Sequence, residues 1–120
     1  MLTVGVDLIE TGRIGRAMDR WGDRFLNYVY TPAELEYCGN HVPELAARFA
    51  AKEAVSKALG TGLRGIRWRE MEVLPNSRGK PLVWLHGSAR ERAEELGLDE
   101  FAISLSHSRR YAIAFVVATD

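Results

Sequence analysis

Arg48-Phe49-Ala50-Ala51-Lys52-Glu53-Ala54-Val55-Ser56-Lys57-Ala58-Leu59-Gly60 decides how this chain is read. At roughly 100° per residue the stretch is a helix with two unlike sides. Ala47, Ala50, Ala51, Ala54, Val55 and Ala58 share one side, small and apolar, able to sit close against another element. Arg48, Phe49, Lys52, Glu53, Ser56 and Lys57 share the other. Three cations around one carboxylate suit a phosphorylated ligand held with a metal ion.

Upstream, Pro43 opens this helix, and Thr31-Pro32-Ala33-Glu34 opens the one before it. Thr31 can cap, Pro32 fits the first helical position, and Glu34 completes a capping box. That shorter helix should stop near Gly39. Ile14, Ala17, Met18, Trp21 and Phe25 recur at helical spacing, with Gly22 a candidate break. At the start, Leu2, Val4, Val6 and Leu8 alternate with Thr3, Gly5 and Asp7, which predicts a strand with one apolar face and a second face ending in a carboxylate.

Downstream, Gly60-Thr61-Gly62 begins a loop. Arg67 to Leu74 reads as a strand, Asn76 to Lys80 as a turn, and Leu82 to His86 as the returning strand. Ser88-Ala89-Arg90-Glu91 reads as a second capping box, for a helix ending near Gly97. Phe101 to Ser106 and Tyr111 to Ala118 read as final strands around a turn near Ser108-Arg109-Arg110. The order β-α-α-α-β-β-α-β-β predicts an α+β fold, a largely antiparallel sheet with helices packed on one face.

The chain has 120 residues, enough for one domain over 1–120. Its formal net charge of zero argues against a nucleic-acid binder. A single cysteine, Cys38, excludes an internal disulfide and suits a reduced compartment. No apolar run is long enough to span a membrane, and the N-terminus lacks the regions of a signal peptide. A cytoplasmic protein is expected.

Each candidate has an ordinary reading beside a functional one. Asp7 in an apolar strand is either a strand-end carboxylate or a ligand. Glu53 and Lys57, four apart, are either a surface ion pair or part of a site. With Asp7, Glu53 gives two carboxylates, which together with substrate phosphates commonly hold Mg²⁺. Arg48, Lys52 and Lys57 face either phosphate or solvent. Arg13, Arg16, Arg20 and Arg24 form a stripe on the first helix, either solvated or able to dock an acidic protein. His107 follows Ser104-Leu105-Ser106, but neighbouring strand residues point to opposite faces and no Gly-x-Ser-x-Gly elbow exists.

Taken together, these residues resemble the holo-acyl-carrier-protein synthases, small bacterial phosphopantetheinyl transferases. The resemblance rests on Gly5-Val6-Asp7, Arg13-Ile14, Tyr30-Thr31-Pro32-Ala33-Glu34-Leu35, the stretch from Arg48 to Gly62, Gly79-Lys80-Pro81 and Ser104-Leu105-Ser106-His107. The opening Thr3-Val4-Gly5-Val6-Asp7 lacks the first glycine of the usual Gly-Ile-Gly-x-Asp, and Tyr30-Thr31 replaces Phe-Thr. The resemblance implies transfer of 4′-phosphopantetheine from coenzyme A to a serine of apo acyl carrier protein, releasing adenosine 3′,5′-bisphosphate. It implies Mg²⁺ on Asp7 and Glu53, with Glu53 also orienting or deprotonating the serine, directly or through water. Lys57 would neutralise or protonate the leaving group. Arg48 and His107 would hold the 3′-phosphate, Ser56 and Gly60 would line the nucleotide pocket, and Arg13, Arg16 and Arg20 would grip the carrier protein. It also implies a homotrimer with active sites between subunits. The alternative is a non-catalytic module that binds acidic proteins through the arginine stripe.

Overall fold

The computed structural model describes residues 1–120. Strand β1 (Leu2–Glu10) leads into helices α1 (Thr11–Trp21), α2 (Asp23–Val29), α3 (Pro32–Cys38) and α4 (Val42–Ala58). A single 3-10 turn (Trp68–Glu70) precedes the hairpin β2 (Met71–Pro75) and β3 (Pro81–Leu85). Helix α5 (Gly87–Leu96) and strands β4 (Glu100–His107) and β5 (Tyr111–Thr119) complete the chain. The main sheet is antiparallel in the order β1-β5-β4, and β2-β3 is a separate ribbon. The expected α+β class with helices on one face is what the chain forms. No helix is long and apolar enough to cross a membrane.

Helix α4 lies across the inner sheet face. Its alanines meet Ala112, Ala114, Val116 and Ala118 of β5, all buried. Small residues on both sides bring the backbones close. A Cβ at Gly5 would lie 1.9 Å from the Ala54 carbonyl oxygen, so only glycine fits there. Thr3 Oγ1 donates to the Ala58 carbonyl at 3.0 Å, fastening β1 to the C-terminal end of α4. Gly5→Ala is expected to cost about 1–3 kcal/mol by forcing strand and helix apart. A urea titration reads that loss.

Leu2, Val4, Val6 and Leu8, the alternating apolar residues of β1, do not make this contact. Thr3, Gly5, Asp7 and Ile9 face the helix layer, whereas Leu2, Val4, Val6 and Leu8 are exposed on the opposite face. There they pair across the ladder with the outward side chains of β5, Val6 with Phe115 and Leu8 with Ile113. The result is an uncovered apolar ribbon.

Three local expectations are corrected. Gly22, at φ +55, ends α1 and starts α2, so four helices precede the hairpin rather than three. The segment from Arg67 does not enter the ribbon until Met71. Glu70 Oε1 accepts from Arg67 N at 2.9 Å and holds the 3-10 turn. Ser88 caps nothing, because α5 begins at Gly87 and the Glu70 carboxylate accepts from Ser88 N at 2.9 Å. By contrast, the Thr31–Glu34 capping box forms as the sequence predicts.

The polar side of α4 also differs from expectation. Arg48, Lys52 and Ser56 are all buried, because α3 and the Trp68–Met71 segment cover that side. Lys52 Nζ lies 2.7 Å from Glu34 Oε1, both side chains fully enclosed. It also donates to the carbonyls of Trp68 and Met71. Glu34 in turn accepts from Thr31 N at 2.9 Å and Val73 N at 2.8 Å. Lys52 therefore ties α4 to α3 and β2 and does not face phosphate.

Candidate active site

Strand pleat and helix spacing together build the first cluster. Asp7 points inward from β1 toward the last turns of α4. Lys57 Nζ donates to Asp7 Oδ1 at 3.2 Å and to the Val6 carbonyl at 2.9 Å. Lys57 thus pairs with Asp7 and not with Glu53, its neighbour four positions earlier. Glu53 is partly buried beside them. Burial first, and then the negative charge of Asp7, push its carboxyl above the usual range, while Lys57 and Arg13 pull the other way. Asp7, Glu53, Lys57 and Arg13 therefore share one electrostatic neighbourhood where β1, α1 and α4 meet.

Two carboxylates, of which Glu53 is held above its usual range by burial and by Asp7, form a hard oxygen donor set, and this fits Mg²⁺. No third acidic, histidine or cysteine ligand joins them. Such a site needs further oxygens from outside the chain, as a phosphate would supply.

The second cluster surrounds Arg48. Its guanidinium lies over the Tyr37 ring at 4.8 Å and donates from Nη1 to Glu44 Oε2 at 2.7 Å. His107 Nε2 approaches the other oxygen of Glu44 at 3.8 Å. Arg48 Nε is buried without a hydrogen-bond partner. A guanidinium and an imidazole thus converge on one carboxylate, an arrangement able to recognise an anion. Neither Glu44 nor Tyr37 is among the residues that the sequence reading picks out. Glu44 precedes Arg48 by four residues, and that spacing is the signal that could have found it.

The remaining expected residues scatter over several surroundings. Ser56 is fully buried and its hydroxyl donates to the Glu53 carbonyl at 2.7 Å. Gly60 is exposed at φ +78, just beyond α4. Arg13, Arg16 and Arg20 are exposed on α1. Arg20 stacks on Trp21 at 4.9 Å. Arg24 leaves this stripe, because the chain turns at Gly22; it lines a separate groove with Trp21, Phe25 and Tyr28. Cys38 is buried, which pushes its thiol up to about 11 and leaves it a core residue. A groove of about 550 Å³ between α2 and the 3-10 turn touches none of the expected residues.

Residues 3–116 match the family model of the 4′-phosphopantetheinyl transferase superfamily. The chain is 54% identical to the holo-[acyl-carrier-protein] synthase of Herpetosiphon aurantiacus, with 98% of each chain covered. It is 52% identical to that of Dehalococcoides mccartyi over the full length of both. Among solved structures, the Helicobacter pylori holo-[acyl-carrier-protein] synthase in complex with coenzyme A superposes with a TM-score of 0.89 at 28% identity, covering 97% of this chain and 99% of that one. The Neisseria meningitidis enzyme superposes with a TM-score of 0.88 at 36% identity, covering 98% of each.

Proposed function

The chain belongs to the 4′-phosphopantetheinyl transferase superfamily and, within it, to the holo-[acyl-carrier-protein] synthases, and from that premise we propose that it uses Mg²⁺ to transfer 4′-phosphopantetheine from coenzyme A to a serine of apo acyl carrier protein, leaving adenosine 3′,5′-bisphosphate. The observation that carries this reading is the shared neighbourhood of Asp7, Glu53 and Lys57 at the meeting of β1 and α4.

Phosphoryl transfer asks mainly for positioning and charge neutralisation. Mg²⁺ held by Asp7 and Glu53 would offset charge on the diphosphate of coenzyme A and fix its orientation. Glu53, its proton affinity raised by burial, orients the serine hydroxyl and accepts its proton, directly or through water. Lys57, half exposed and hydrogen-bonded to Asp7, offsets charge on the leaving phosphate. Arg48 and His107 take the 3′-phosphate and exposed Gly60 borders the nucleotide, whereas Ser56, enclosed and bonded to the Glu53 carbonyl, lies behind the pocket and does not line it.

Exposed Arg13, Arg16 and Arg20 receive the acidic carrier protein. Arg13 is the ambiguous member, because it also acts on Glu53. Arg20 is the clean test, seven residues or roughly 10 Å further along the helix. Arg20→Glu is expected to weaken carrier affinity about tenfold, in a salt-sensitive manner, with coenzyme A affinity unchanged. Calorimetric titration of each ligand separates the two.

The bare ribbon of Leu2, Val4, Val6, Leu8, Ile113 and Phe115 supports a homotrimer assembled through the sheet. The function itself is tested by intact-protein mass spectrometry. Enzyme, Mg²⁺ and coenzyme A should add the mass of the phosphopantetheine arm to an apo carrier protein. Folded enzyme that adds no mass to several apo carriers would sink the proposal.

A further inference from the structure

Glu44 stands between the two groups that the proposed function gives to the 3′-phosphate, and any role for it in binding rests on that assignment. The Arg48 side chain is only 5% exposed, whereas those of Glu44 and His107 are 35% and 43% exposed. Tyr37 covers a face of the guanidinium, and a face offers no N–H. A phosphate must be bonded at the N–H edge, and on that edge Glu44 Oε2 accepts from Nη1 at 2.7 Å. The second oxygen of the same carboxylate faces His107 Nε2. One side chain therefore spans the two donors that a phosphate monoester would span.

We propose that Glu44 is an internal counter-anion that the 3′-phosphate displaces, so that it governs how strongly the site prefers a ligand carrying that phosphate. The exchange is favourable on charge. A dianionic phosphate brings twice the charge of the carboxylate and three acceptor oxygens to the Arg48 Nη1 and His107 Nε2 positions that Glu44 now occupies. Displacement costs Glu44 little. It lies in the first turn of α4, where the helix end still favours a negative charge, and it can swing into solvent. In the empty protein Glu44 keeps a buried guanidinium paired. In the complex its residual repulsion of the phosphate lowers affinity below what Arg48 and His107 alone would give.

The test is calorimetric titration of coenzyme A and 3′-dephospho-coenzyme A, without carrier protein, into native enzyme, Glu44→Gln and Arg48→Lys. Glutamine keeps the shape of Glu44 and removes its charge. Glu44→Gln is expected to bind coenzyme A about three- to tenfold more tightly, with no change for the dephospho form. Unchanged or weaker coenzyme A binding would overturn the counter-anion role, and so would equal tightening of both ligands. Arg48→Lys judges the underlying assignment separately. Loss of the preference for coenzyme A sustains it, and an intact preference removes both Arg48 and Glu44 from phosphate recognition.

Discussion

Glu53→Gln is expected to lower transferase turnover by at least about a hundredfold and, at neutral pH, to leave the protein more heat-stable than the native chain. Both effects have one cause. The native fold holds the Glu53 carboxylate partly buried and within the field of the Asp7 charge, which raises its pKa above the unfolded value of about 4.3. The folded state therefore binds this proton more tightly than the unfolded state does. Its contribution favours folding at low pH and is lost as pH rises from the unfolded pKa through the folded one. Glutamine cannot ionise and escapes that loss. The melting temperature of the variant should exceed that of the native protein at pH 7, and the gap should close below about pH 4. Added Mg²⁺ should narrow the gap from the native side, since it stabilises the native carboxylate pair and has little to bind in the variant. The rate of mass gain on a carrier protein and a set of thermal melts are the two measurements. Native turnover in Glu53→Gln would remove this residue from the chemistry.

The second large effect concerns stability alone. Lys52→Met leaves Glu34 enclosed without its cation, and removing one partner of a buried pair costs about 3–5 kcal/mol. Burial drives the pKa of Lys52 down and Glu34 opposes that shift, so each group is tolerable mainly because of the other. The double variant Lys52→Met/Glu34→Gln should recover part of the loss, which makes the two substitutions strongly non-additive in a urea-unfolding cycle. The recovery stays partial because Glu34 also accepts from Thr31 N and Val73 N. Were Lys52 a phosphate ligand instead, its loss would appear in coenzyme A affinity and leave the unfolding midpoint nearly unmoved.

Lys52 and Lys57 mark the boundary of what can be read from the chain. The long helix, the capped helix before it and the opening strand follow from local spacing, which any sequence displays directly. The Thr31 cap needs only a carboxylate three residues on, and it forms. Partners from distant elements follow no such rule. Lys52 meets a glutamate from the preceding helix, Glu70 reaches Ser88, and Lys57 turns from Glu53 to a carboxylate fifty positions away. An angular plot of α4 places Lys52 among the cations, but it cannot show that α3 and β2 close over it. The opening strand teaches the same lesson. Alternation says which side chains share a face, while the close approach of Gly5 to Ala54 decides which face meets the helix. Glu44 and Arg48 lay within reach of local reasoning, but the arrival of His107 from β4 did not.

The pleat of β1 gives one strand two obligations. Asp7 turns toward the reaction centre, while its immediate neighbours Val6 and Leu8 point away into the bare ribbon. If that ribbon is where subunits join, a single backbone carries both self-recognition and the aim of a ligand carboxylate. Dissociation would then wet the hydrophobic stripe and slacken the carboxylate's mooring together. Catalytic competence would rise and fall with how much enzyme is present, and dilution would act as an off-switch that needs no effector.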